Sequence, residues 1–164
     1  MPAGSSDLIL HQYDVSPFSE KARLMLGLKG AQWYSCIHST IMPKPELIEL
    51  TGGYRQIPVL PIGADIYCGT ELIADELERL FPEPSLTSAS GPGLGRAMAY
   101  WTDETLFWLA VQVVCASDFA GSTDDDFNRD REEMLPGFYD LDKMRAALPG
   151  NVDKLRGHLD LIER

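Results

Sequence analysis

The chain has 164 residues, 45% of them hydrophobic and 24% charged, the composition of a globular protein of one or two small domains and not of a disordered tail. Its 14 basic and 25 acidic side chains leave a net charge of -11. A field of that sign repels phosphate backbones and anionic lipid, so neither nucleic acid nor a membrane surface is an expected partner.

Residues 1–82 carry 6 basic and 10 acidic groups, or -4, and residues 83–164 carry 8 and 15, or -7, so an anionic substrate would need a local positive exception. No run reaches the roughly 18 consecutive apolar residues of a spanning helix. The start Met-Pro-Ala-Gly-Ser-Ser-Asp lacks the cationic and apolar parts of a signal peptide. The expected location is the cytoplasm. Cys36, Cys68 and Cys115 are far apart, with no Cys-x-x-Cys and no zinc spacing, and read as reduced thiols with no metal.

Residues 8–11 form a short apolar run, ended by the turn-prone Ser16-Pro17, and are predicted as a buried strand. Ser16 is a natural N-cap with Pro17 at the first helical position, and Ala22, Leu24, Met25, Leu26 and Leu28 fill a helix up to Gly30. Residues 32–37 suit a second strand, parallel to the first if the helix is a crossover. A short helix at 45–50 ends at Thr51-Gly52-Gly53, and runs 57–62 and 65–68, separated by Gly63-Ala64, suggest an antiparallel hairpin. Leu72, Ile73, Leu77 and Leu80 then make the apolar face of a helix over 71–81.

The Ser-, Gly- and Pro-rich stretch that follows is the linker, giving domains of 5–82 and 94–164 joined by 83–93. Trp101, Thr105, Trp108, Gln112 and Cys115 mark one stripe of a long helix over 94–117. Residues 121–126 read as an acidic break, with Asp124-Asp125-Asp126 a solvated loop and a poor calcium site. Further helices are expected at 141–148 and 152–162, separated by Pro149-Gly150. The pattern stops at Leu161-Ile162-Glu163-Arg164 without a capping glycine or proline, which predicts an incomplete helical domain.

The βαβαββα order, with Ser16-Pro17-Phe18-Ser19-Glu20-Lys21-Ala22-Arg23, Gln56-Ile57-Pro58-Val59-Leu60 and Thr70-Glu71-Leu72-Ile73-Ala74-Asp75 in that order, resembles the glutathione transferase superfamily. The resemblance is close over 7–86 and looser beyond. It implies an α/β thioredoxin-like domain with a mixed four-stranded sheet, followed by an all-α domain. Ser16-Pro17-Phe18 resembles the tau-class motif and stands where omega-class proteins carry a cysteine.

By that resemblance Ser16 donates to the glutathione sulfur, and Tyr13 is the rival donor. Read from the residues alone, Ser16 is a helix cap and Tyr13 an aromatic packed at the strand end. Ile57 and Pro58, with a cis bond between them, would pair with the cysteinyl part of glutathione. Lys44 would reach the glycyl carboxylate; otherwise it is a solvated loop lysine. Thr70 caps the third helix and would hold the γ-glutamyl carboxylate. Gly69 departs from the family, where a polar side chain holds the γ-glutamyl ammonium.

Trp101, Trp108 and Cys115 read as core, Cys36 and Cys68 as buried strand thiols, and His38 as a lone histidine without a visible partner. The expected activity is conjugation of reduced glutathione to a small electrophile by thiolate attack, a detoxification chemistry, in a homodimer. The alternative is a non-catalytic module of the same fold that binds a ligand or a protein. A glutaredoxin-type exchange fails, because no cysteine lies near Ser16.

Overall fold

The computed structural model describes residues 8–87, 89, 91–117 and 124–163. Residues 5–7, 121–123 and Arg164, used in the sequence reading, lie outside the described residues. The chain divides into two compact units, Met1–Ala89 and Ser90–Arg164. No helix among the described residues is long and apolar enough to cross a membrane.

The first unit runs β1 (Leu8–Gln12), α1 (Pro17–Leu28), β2 (Trp33–Ile37), α2 (Pro45–Thr51), β3 (Val59–Ile62), β4 (Asp65–Cys68) and α3 (Thr70–Leu80). The sheet order is β2-β1-β3-β4, with β1 parallel to β2 and the other neighbours antiparallel. The parallel pair needs the α1 crossover, and Gly63, at φ +63°, sits in the tight β3–β4 turn.

Because successive strand side chains alternate between faces, the sheet buries two separate apolar clusters. Leu8, Leu10 and Leu60 meet Ala22, Met25 and Leu26 of α1 and Ile73 and Leu77 of α3. On the other side Val59 joins Ile57 and Leu47 of α2, with Tyr13, Tyr54 and Cys68 packed around them. Each fully buried leucine contributes about 1.5–3 kcal/mol relative to exposure. Lys29 ties α1 to the segment after α3: its ammonium donates to Glu78 Oε1 at 2.8 Å and to the Pro84 carbonyl at 2.7 Å.

The second unit is helical: α4 (Pro92–Tyr100), a π-helical turn (Trp101–Leu106), α5 (Phe107–Ala116), α6 (Asp125–Met134) and α7 (Leu141–Ile162). Ala116, Tyr139 and Met144 form its buried centre. Trp108 makes edge contacts with Phe107 and Phe138, Trp101 lies against His158, and both tryptophans and Cys115 are half-buried.

Two expectations about this unit change. Asp124 is no loop residue but the N-cap of α6, accepting from the Asp126 and Phe127 amides at 2.9 and 3.0 Å. Asp125 and Asp126 then occupy the first turn, where the helix dipole favours acids. Residues 141–148 and 152–162 are one helix with Pro149 inside. The proline removes one helical N–H donor, and it sits on an exposed stretch of the helix, where such a loss costs least.

Candidate functional site

Ser16 leads into α1 in extended conformation, at φ -81° and ψ 120°, with Pro17 following. Its Oγ accepts from the Ser19 amide at 3.1 Å, and its carbonyl accepts from the Glu20 amide at 2.9 Å. A hydroxyl has one donor hydrogen and two acceptor lone pairs, so the cap itself does not use the O–H hydrogen of this buried serine. The turn before it is clamped from both sides. Arg23 hydrogen-bonds Gln12 Oε1, the Asp14 carbonyl at 3.1 Å and Glu20 Oε2 at 2.7 Å, while Gln12 donates to Ser35 Oγ at 2.7 Å.

Tyr13 packs on the Leu47, Ile57 and Val59 cluster, and the Lys44 ammonium stands 5.3 Å from its ring centroid. Lys44 also donates to the Arg55 carbonyl at 3.4 Å. The lysine is buried, so its reading as a solvated loop residue is corrected. Its aliphatic stem is covered, and the ring face and the carbonyl attract its charge.

The Ile57–Pro58 bond is cis. Since β3 begins only at Val59, the backbone of Ile57 lies outside the strand ladder. The Gly69 amide donates to the Pro58 carbonyl at 3.0 Å. This bond fixes Gly69 at φ +86° and ψ 160°, making Gly69 the N-cap of α3. Thr70, expected as the cap, is instead the first helical residue and is buried. The first intrahelical bond runs from the Ile73 amide to the Gly69 carbonyl at 3.2 Å, so the Thr70 and Glu71 amides point out of the helix start.

Ile57, Pro58, Gly69 and Thr70 line one recess of about 120 Å³ together with Phe18, Tyr54 and Gln56. Those last three were not among the sequence candidates, although Gln56 directly precedes Ile57-Pro58 and Phe18 follows Ser16-Pro17. Tyr54 is held by Gly52, which ends α2 in left-handed conformation at φ +68°, and by Thr51 Oγ1, 2.8 Å from the Tyr54 carbonyl. Burial raises the Tyr54 phenol, with the nearby Cys68 adding to the shift, so the ring is a neutral donor, 3.3 Å from Gln56 Oε1. Ser16, Tyr13 and Lys44 are not part of the recess lining.

On the α2 face of the sheet His38 is not alone. Its Nε2 lies 2.9 Å from His11 Nδ1 and 3.7 Å from Cys36 Sγ, and the two rings stack at 5.1 Å. Cys36 and Cys68, expected as buried strand thiols, are both half-buried. All three cysteines are free.

Residues 10–85 match the glutathione S-transferase N-terminal domain family. A GST-like protein from Pseudomonas syringae is 51% identical over 66% of this chain, with a TM-score of 0.62, and the chain spans 40% of that protein. The tau-class glutathione S-transferase of mango, Mangifera indica, is 21% identical over 96% of this chain and 61% of its own, with a TM-score of 0.68. A glutathione S-transferase of Ceriporiopsis subvermispora, solved with glutathione, is 16% identical over 96% of this chain and 77% of its own, with a TM-score of 0.54. No curated protein matches the sequence.

Proposed function

Since the chain belongs to the glutathione transferase superfamily, we propose that it binds reduced glutathione and transfers it to a small electrophile. The observation that carries this reading is the recess joining Ile57-Pro58 to the Gly69-Thr70 start of α3. In it the backbone of Ile57, which lies outside the strand ladder, pairs with the cysteinyl residue of glutathione. The Thr70 hydroxyl and the unpaired first-turn amides hold the γ-glutamyl carboxylate at the positive end of the helix dipole. Lys44 meets the glycyl carboxylate, the positive exception that an acidic chain requires.

The chemistry needs glutathione as thiolate. An ordinary thiol of pKa about 8.5 is only about 3% ionised at pH 7. The Ser16 O–H, placed at the N-terminus of α1, donates to the sulfur and favours its anion. A preference of about 2.7 kcal/mol lowers the value by about two units and makes the thiolate the majority species. The thiol proton leaves to solvent, the sulfur attacks the electrophilic carbon, the C–S bond forms and the leaving group departs with its electron pair. In this reading Tyr13 supports Lys44 rather than the sulfur. The working assembly is a cytoplasmic homodimer.

A non-catalytic module of the same fold is the second reading, and Gly69 favours it, because this position offers no side chain to the γ-glutamyl ammonium. Calorimetric titration with glutathione, followed by a conjugation assay with an aryl halide, separates the two. Binding with turnover supports the transferase. Binding without turnover supports the module, and no heat at millimolar glutathione removes both ligand assignments.

A further inference from the structure

We propose that His11, Cys36 and His38 form a zinc-binding site, in which two imidazole nitrogens and one thiolate hold the ion and a fourth position stays open to water. His11 and Cys36 are register partners on the parallel strands β1 and β2. Paired residues on adjacent strands share a face, and His38, two residues beyond Cys36, falls on that face too. The His38 amide continues the ladder by donating to the Gln12 carbonyl at 2.8 Å. The ligand set is thus carried by a hydrogen-bonded frame and not by a loose loop.

The three ligand atoms lie within 4.8 Å of one another. A tetrahedral zinc with bonds of about 2.0–2.1 Å to nitrogen and about 2.3 Å to sulfur separates two nitrogens by about 3.3 Å and a nitrogen from sulfur by about 3.6 Å. The separations of 2.9 Å between the imidazoles and 3.7 Å between Cys36 and His38 differ from these by a few tenths of an ångström. A small spreading of the two stacked rings admits the ion. Hydrogen bonds from His38 to His11 and to Cys36 account for these approaches pair by pair, whereas a metal engages all three groups at one point.

Imidazole and thiolate ligands select zinc-like ions over magnesium and calcium, which prefer oxygen. On binding, the Cys36 proton passes to solvent, the zinc–sulfur and zinc–nitrogen bonds replace bonds to water, and nothing is oxidised or reduced. The site uses none of the residues assigned to glutathione, so it stands or falls separately from that function.

The test titrates the chelator-treated full chain with Zn²⁺, and then with Co²⁺ as a spectroscopic substitute, at neutral pH under reducing conditions. One equivalent should bind, and Co²⁺ should give a thiolate charge-transfer band that disappears in Cys36→Ser. His38→Gln should weaken zinc binding by at least about tenfold. A readout on the unaltered protein guards against variants that fold poorly: saturating Zn²⁺ should protect Cys36 from alkylation, as located by peptide mapping. Absence of the charge-transfer band, unchanged alkylation of Cys36, or equal zinc affinity in a folded His38→Gln variant would each overturn the proposal.

Discussion

The Gly69 amide donates to the Pro58 carbonyl at 3.0 Å, coupling the loop before β3 to the first turn of α3 and holding Gly69 at φ +86°. That conformation favours glycine. An added Cβ has room, since its nearest neighbour is the Tyr54 hydroxyl at 3.9 Å, so the cost of substitution is conformational and not steric. Gly69→Ala should lower stability by about 1–3 kcal/mol, because φ +86° with ψ 160° lies in a region essentially restricted to glycine. Gly69→Asp offers a charge-assisted bond to the γ-glutamyl ammonium of about 1.5–3 kcal/mol, which should tighten glutathione binding by about tenfold to a hundredfold. The backbone strain of about 1–3 kcal/mol is carried by the free and the bound protein alike, so it lowers stability and not affinity. Calorimetry with thermal denaturation checks both halves, and an unchanged melting temperature for either variant contradicts the argument.

Ser16→Ala should leave the fold intact at a cost of about 1 kcal/mol for the lost cap and remove most conjugating activity. Tyr13→Phe should be milder, because phenylalanine keeps the ring face that Lys44 sits over. Turnover of an aryl halide by the two variants decides between the donors. Loss with Phe at position 13 and retention with Ala at position 16 would reverse their roles.

Lys29 and Glu78 are paired but unequal, since the lysine side chain is fully buried while the glutamate keeps 30% of its surface. Removing the glutamate strands a buried ammonium; removing the lysine leaves a carboxylate that water can reach. Glu78→Ala should cost about 3 kcal/mol, near the lower end for a broken buried pair. Lys29→Met should cost less, because its partner is partly solvated and the methionine refills the space. Urea unfolding of both variants measures the order, and a larger loss for Lys29→Met contradicts it.

The same pair predicts an acid limb. Burial by itself would raise the Glu78 carboxyl, but the Lys29 ammonium and the Leu86 amide bind the carboxylate and hold it below the ordinary value. For Glu76 the hydrogen bond from Arg79 is the main cause of lowering. A folded value below the unfolded one means that the folded state binds fewer protons. This stability is fully present above the unfolded glutamate value of about 4.3 and is lost as pH falls through the depressed folded values. Urea midpoints should hold near neutrality and fall below about pH 4.3, with a shallower fall in Glu78→Gln. Equal slopes in the two proteins would show that Glu78 does not drive the limb.

Short-range chemistry was legible in the residues themselves. The short apolar run at residues 8–11, the Ser16-Pro17 helix start and the glycine between two β-prone runs each act within a few positions, and each element formed where its pattern lay. The order of those elements with their motifs carried the family resemblance, and a family match over residues 10–85 bears it out. The helical half was read less well for the same reason. Pro149 and the aspartates from 124 to 126 have strong local preferences for breaks and loops, and only solvent exposure and the position of a helix start turned them to helix.

Tertiary structure decided what depends on distant neighbours. The burial of Lys44 follows from the approach of Tyr13 and Arg55, and the φ of Gly69 follows from the carbonyl of Pro58. His11 and His38 are 27 residues apart, and their meeting beside Cys36 required the parallel register of β1 and β2. Such a register is set by which side chains the whole sheet buries against its helices. No local window of sequence contains that energy, because the crossover that closes the pair carries the partners out of each other's reach along the chain.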